Sequence, residues 1–181
     1  MNLPNRLSLA RVLMIPVCVA LMYAGTPVFQ WLALAAFLIA SFTDFLDGHI
    51  ARSRNLVTDF GKFIDPVADK LLVLSVLIML SSQGKIPAWM TVIVLARELS
   101  VDGLRMVASL TGKVIAAGKL GKIKTVTQMV TISLLLVDNW PFGAFPVSGI
   151  LSYAMVAITL WSGVDYFVKN RSVLSFQEEQ K

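Results

Sequence analysis

One cysteine and one histidine are all that the 181 residues hold of soft or borderline metal ligands, and the single thiol, Cys18, rules out an intramolecular disulfide. No His or Cys cluster is therefore present to bind zinc. Charge is scarce as well. Asp, Glu, Lys and Arg make up 15% of the chain, where a soluble domain carries about 25%. Internal repeats, low-complexity tracts and a second domain are not evident, so residues 1–181 read as one domain. What fills the space is apolar: 56% of residues are hydrophobic, and the mean hydropathy is +0.74. The expected class is an all-α integral membrane protein. Its net charge of +5 fits cytoplasmic loops against anionic lipid headgroups better than nucleic acid. The opening segment has early positive charge and then an apolar run, like a signal peptide. Met22 and Ala24 make a poor small-x-small cleavage site, so it reads as a retained span.

Taken in order, residues 1–6 form a short interfacial lead-in, followed by a first span over Leu7 to Tyr23. Turn residues at Gly25 to Pro27 precede a second apolar segment that starts at Val28 and runs without a breaker through Asp44 and Asp47 to Arg52. A third begins near Asp59 and is purely apolar from Leu71 to Leu80, a fourth covers Ala88 to Ala108, a fifth Thr125 to Val137, and a sixth Val147 to Phe167. Six transmembrane helices with both termini cytoplasmic follow from the basic residues. That arrangement puts every Lys and Arg except Lys85 and Arg97 on cytoplasmic segments or span ends. Trp31, Trp89 and Trp140 then fall at outer ends as an aromatic belt, whereas Trp161, in mid-span, reads as packing.

Four carboxylates stand out against this background. Asp44 with Asp47, and Asp65 with Asp69, are spaced so that each pair shares one face of its helix. At about 1.5 Å per residue, Asp44 lies roughly 12 Å from Arg52, and Asp69 about 15 Å from Asp59, so both pairs sit at a similar shallow depth. Acids at that depth face a protein cavity, and close together they require cations to stay ionised. Oxygen-only ligands select hard divalent ions: Mg2+, Mn2+ or Ca2+. The sole histidine, His49, is about 200° around the helix from Asp47 and so off that face.

The full pattern is Asp44, Asp47-Gly48, Ala51-Arg52, Gly61, Asp65 and Asp69, and with every spacing intact it resembles the signature of the CDP-alcohol phosphotransferase family. The segments PNRLSLAR, ARE at Ala96 to Glu98, GLR at Gly103 to Arg105 and GKIKTVTQM at Gly121 to Met129 extend that resemblance, toward its bacterial phosphatidylglycerophosphate-forming members, over nearly the whole chain. The resemblance implies that Asp44, Asp47, Asp65 and Asp69 hold two divalent cations, Mg2+ or Mn2+, with Asp69 also taking the proton of the acceptor hydroxyl. It implies a CDP pocket lined by Gly48, Ala51, Arg52 and Gly61, with Asn5 approaching from the amino-terminal segment. It also implies CDP-diacylglycerol as donor, a homodimer in the bacterial cytoplasmic membrane, and an active site facing the cytoplasm.

Arg97, Arg105, Lys122 and Lys124 form a second basic set, beyond what topology demands, that suits a phosphorylated acceptor such as glycerol 3-phosphate. Arg105 and Lys122 rank first as phosphate ligands. Each has a structural alternative: Arg97, Glu98 and Arg105 as a helix-packing ion cluster, and Lys119, Lys122 and Lys124 as positive-inside anchors. Asp102 departs from close relatives and either weakens anion binding or pairs with Arg105. Other acceptors (phosphatidylglycerol, inositol phosphate or serine) and a divalent-cation carrier remain as competing functions.

Overall fold

The computed structural model describes residues 3–53, 59–110, 115, 118–140 and 142–173; within these, the side chains at 3–6, 44–53, 59–63, 65, 66, 110 and 172 lie outside the described set. Six helices follow one another, with no strand among the described residues. They are α1 (Leu3–Ala24), α2 (Pro27–Ser53), α3 (Asp59–Ser82), α4 (Ala88–Leu110), α5 (Lys119–Leu136) and α6 (Val147–Lys169), and a short 3-10 turn, Arg171–Val173, follows α6. α2 runs unbroken through the DFLDG acids and α3 starts at Asp59, both as the sequence predicts.

Two boundaries differ from expectation. No separate interfacial lead-in precedes α1 among the described residues, because the helix already begins at Leu3; Pro4 fits a first turn, where its missing N–H has no helical partner to lose. α5 begins at Lys119 rather than Thr125. Its lysines are good helix formers, and the one interior glycine, Gly121, costs only about 1 kcal/mol relative to alanine.

The bundle has two halves. α1 packs on α2 and α3, α6 packs on α4 and α5, and α3 joins the halves through α4 and α5, aided by α2 against α5. Small residues let α2 approach α1 closely: Ala33, Ala36 and Ala40 are buried, Cys18 Sγ lies 3.6 Å from the Ala33 carbonyl, and Arg11 Nε donates to the Ala40 carbonyl at 3.3 Å. Phe37, Leu72, Leu77, Leu80, Met90, Ile132 and Met155 fill the shared core.

The outside carries many large apolar side chains. Leu13, Val28, Ile39, Phe42, Val92, Val126 and Tyr153 are all exposed, a surface that water would penalise and hydrocarbon would not. Trp161, expected to pack, is 71% exposed and belongs to this outer surface. Among the described residues, two helices are long and apolar enough to cross a membrane, over Leu7–Ala24 and Val147–Lys169, and Pro27–Thr43 is a shorter apolar helix.

The two ends of the bundle differ in chemistry. At one end Trp31 meets Trp140 edge-on at 5.2 Å, and Trp89 lies 6.3 Å from Tyr153. The turns there are tightly tied. Gly25 and Gly84 adopt positive φ, Gln83 Nε2 donates to the Met22 carbonyl at 2.8 Å, and Lys85 bonds both the Leu135 carbonyl and Asp138. The Asn139 side chain donates to the Gly143 and Phe145 carbonyls and accepts from the Ser148 amide, closing the turn into α6. The other end carries the larger charged cluster.

Candidate functional site

Helical spacing builds the charged end. On α4, Glu98, Asp102 and Arg105 stand at i, i+4 and i+7, one stripe along the side of the helix. α5 contributes Lys122, Lys124 and Thr125 from its first turns, and α6 contributes Ser162, Asp165 and Tyr166. With Asp69 and Lys70 of α3, these side chains line a cleft of about 200 Å³. All four proposed phosphate ligands, Arg97, Arg105, Lys122 and Lys124, line that one cleft together with Asp69.

The pairing inside the cleft is specific. Glu98, only 8% exposed, is its hub: Oε1 accepts from Lys124 Nζ and, at 3.2 Å, from Arg97 Nη1. Arg97 Nη2 also donates to Ser162 Oγ at 3.1 Å. Gly163 makes this possible, since a Cβ there would sit 3.1 Å from Arg97 Cγ. Arg97, Glu98 and Lys124 are thus a buried ion cluster as well as part of the cleft wall, and Lys124 is only 5% exposed. Asp102 pairs across the helices with Lys70, not with Arg105 as its spacing allowed. Arg105 instead turns to α6, where Nε donates to Tyr166 Oη at 2.9 Å and the guanidinium lies 5.4 Å from the ring centroid.

Asp69 occupies a junction. Besides the cleft it lines a small pocket reaching Gln128, and an apolar groove of about 700 Å³ bounded by Leu38, Ile39, Phe42 and Met129. A polar cleft and an oily groove therefore meet at one carboxylate. Asp44 and Asp47 lie on α2 and Asp65 on α3, helices that pack on each other, but their side chains lie outside the described residues. The same holds for Gly48, Ala51, Arg52, Gly61 and Asn5. Among the described residues no three His, Cys, Asp or Glu side chains gather at one point. The donor chemistry nonetheless fits a hard divalent ion: oxygen ligands only, carried on two adjoining helices, with Asp69 opening to the cleft.

Tyr166, Ser162 and Asp165 escaped the sequence reading, although a polar stripe at positions 162, 165, 166 and 169 of an oily helix is a detectable signal. Gln128 escaped it too, one turn beyond Lys124 on the buried face of α5.

Comparison with known proteins finds that residues 1–161 match the CDP-alcohol phosphatidyltransferase family. A Bacillus subtilis (strain 168) protein named CDP-diacylglycerol–glycerol-3-phosphate 3-phosphatidyltransferase is 44% identical, over 96% of this chain and 97% of its own. A protein of the same name from Rickettsia typhi is 40% identical, over 92% of this chain and 95% of its own. The Arabidopsis thaliana CDP-diacylglycerol–glycerol-3-phosphate 3-phosphatidyltransferase 2 is 37% identical, over 96% of this chain and 81% of its own.

Removing the hub tests the cluster directly. Glu98→Gln leaves Lys124 and Arg97 buried around a neutral amide and is expected to destabilise the protein by about 3–5 kcal/mol in denaturant unfolding from detergent micelles. A loss no larger than that of an ordinary surface change, about 0.5 kcal/mol, would contradict the assignment of Glu98 as their counter-charge.

Proposed function

The chain belongs to the CDP-alcohol phosphatidyltransferase family, and from that membership we propose that it transfers the phosphatidyl group of CDP-diacylglycerol to glycerol 3-phosphate, releasing CMP. The charge of the cleft favours a phosphorylated acceptor, and the relatives' name points to glycerol 3-phosphate among such acceptors. Five cations line the cleft: Lys70, Arg97, Arg105, Lys122 and Lys124. With Asp69 assigned to the metal site and Asp165 held by Lys169 at 2.8 Å, Glu98 and Asp102 are the acids that remain against them among the described residues, a surplus of three positive charges there. A phosphate monoester, with about two negative charges, offsets most of that surplus, whereas serine, with no net charge, offsets none.

The donor's chemistry supports the second half of the reading. The apolar groove beside Asp69 suits an acyl chain, which leaves the diphosphate at the polar junction. Asp44, Asp47, Asp65 and Asp69 are the residues that would hold two divalent cations, Mg2+ or Mn2+, which when bound neutralise the diphosphate and acidify the acceptor hydroxyl. Gly48, Ala51, Arg52 and Gly61, with Asn5, would receive the cytidine diphosphate.

In the reaction the acceptor oxygen attacks the phosphorus that bears the diacylglycerol. The bond from that phosphorus to the bridging oxygen breaks, and CMP leaves with the electron pair. The hydroxyl proton passes to Asp69. Arg105 and Lys122 hold the acceptor phosphate, Arg105 kept in place by Tyr166. Arg97 and Lys124, locked to Glu98, contribute fixed positive potential from the cleft wall.

All six helices are taken as spans, with both termini and the charged end at the cytoplasmic face of the bacterial cell membrane. The excess of Lys and Arg at the charged end is what supports that orientation, and the aromatic pairs at the opposite end fit a second membrane interface. The homodimer rests on the family resemblance.

Purified protein with Mg2+ or Mn2+ is expected to release CMP from CDP-diacylglycerol only when glycerol 3-phosphate is added, and not with serine or inositol phosphate. Release with another acceptor, and none with glycerol 3-phosphate, would overturn the assignment. Asp69→Asn is expected to lower kcat by about a thousandfold, within the range of a lost general base; activity within tenfold of wild type would contradict its role. Arg105→Gln is expected to raise KM for glycerol 3-phosphate by about 10- to 100-fold, the value of a charge-assisted hydrogen bond. An unchanged KM would remove Arg105 from the acceptor site.

A further inference from the structure

The small pocket beside Asp69 holds a group that the reaction as described does not use. It has a volume of about 60 Å³ and shares Asp69, Lys70, Glu98 and Lys124 with the cleft. It also reaches one helical turn farther, to Val73 and Leu74 on α3 and Gln128 on α5. Gln128 is 2% exposed, and its amide nitrogen has no hydrogen-bond partner among the described residues.

A buried amide donor without a partner costs about 1–3 kcal/mol, and an apolar side chain of the same shape would avoid that cost. The pocket supplies a way to satisfy it. A water needs only about 10–15 Å³ of such space and two to four polar partners. Ser41 and Asp69 line the same pocket and, with Gln128, provide them.

We propose that Gln128 is a positioning residue: it holds an ordered water against the Asp69 carboxylate and so fixes how that carboxylate faces the metal site and the acceptor. The inference rests on the reading of Asp69 as metal ligand and base. Its physical logic is that of any group that orients a ligand from behind. A carboxylate whose lone pairs are partly directed by a fixed donor loses rotational freedom before the cation arrives, and such outer partners are typically worth about 10- to 100-fold in metal affinity or activity. Lys70 and Lys124 also line the pocket, but each is already paired, with Asp102 and Glu98. The neutral amide orients the water without adding another charge.

The test uses the full-length protein in detergent and two variants, with Mn2+ affinity measured by spin resonance in the absence of substrate and CMP release measured separately. Gln128→Met keeps the length of the side chain and deletes the donor. It is expected to weaken Mn2+ binding and lower kcat about 10- to 100-fold each, leave KM for glycerol 3-phosphate within twofold, and melt no lower than wild type. Gln128→Asn keeps the amide one methylene short, leaves room for a second water, and is expected to retain Mn2+ affinity and kcat within about threefold. Mn2+ affinity and kcat within twofold of wild type in the Met variant would overturn the proposal. Equal losses in both variants would also overturn it, since shape and not the hydrogen bond would then be responsible. Should the Met variant fail to fold, Gln128→Leu takes its place with the same expected losses, and Mn2+ affinity and kcat within twofold of wild type there would overturn the proposal. A wild-type protein that binds Mn2+ but releases no CMP with glycerol 3-phosphate would instead refute the acceptor assignment and leave the metal-affinity comparison to judge Gln128.

Discussion

Ions taken out of water inside an oily bundle must be neutralised where they stand, and Glu98 is where this protein does so. The desolvation of each ion costs several kcal/mol, recovered only when its bonds are made in good geometry. Glu98 accepts from Lys124 of α5 and from Arg97 of its own helix, whose guanidinium also reaches Ser162 of α6. One carboxylate thereby ties three helices at the level of the cleft. Asp102 adds a fourth helix by taking Lys70 of α3. The cations of the wall are fixed in this way, while Arg105 and Lys122 still face the open space.

The rest of the architecture serves that arrangement. Small residues on α2 let α1 seat against it, so the first three helices make a compact half with an unbroken core. Gly163 keeps the surface of α6 low enough for Arg97 to lie across it. The outer surface stays apolar over its length, and polar side chains are gathered inward at one end, where an oily groove and a charged cleft share Asp69. A lipid with a charged head needs that kind of boundary: a wet end for the phosphates joined to a dry path for the chains.

Much of this was legible before any coordinates. Hydrophobic runs and their breakers located all six helices, because apolar segments bounded by Gly, Pro and polar turns leave few alternatives. The motif from Asp44 to Asp69 and the second basic set were visible as charges at helical spacing in an oily chain. What spacing along one helix cannot reveal is which neighbour a side chain meets, since that depends on how the helices are rotated about their axes. Asp102 had a partner in Arg105 at three residues' distance, yet tertiary packing gave it Lys70. Tyr166 took Arg105 for the same reason. Trp161 was misjudged because mid-span position was taken for burial, although one face of a bundle helix is open to lipid. The early start of α5 was missed because glycines and lysines read as a loop when propensity alone allows a helix.

The central proposal is that Asp44 and Asp47 of α2, with Asp65 and Asp69 of α3, hold a pair of hard cations. Spin resonance of the purified protein titrated with Mn2+ tests it most directly. The account predicts two ions bound per chain with the magnetic coupling of neighbours about 3.5–4 Å apart. A single uncoupled ion at saturation, or none, would contradict it.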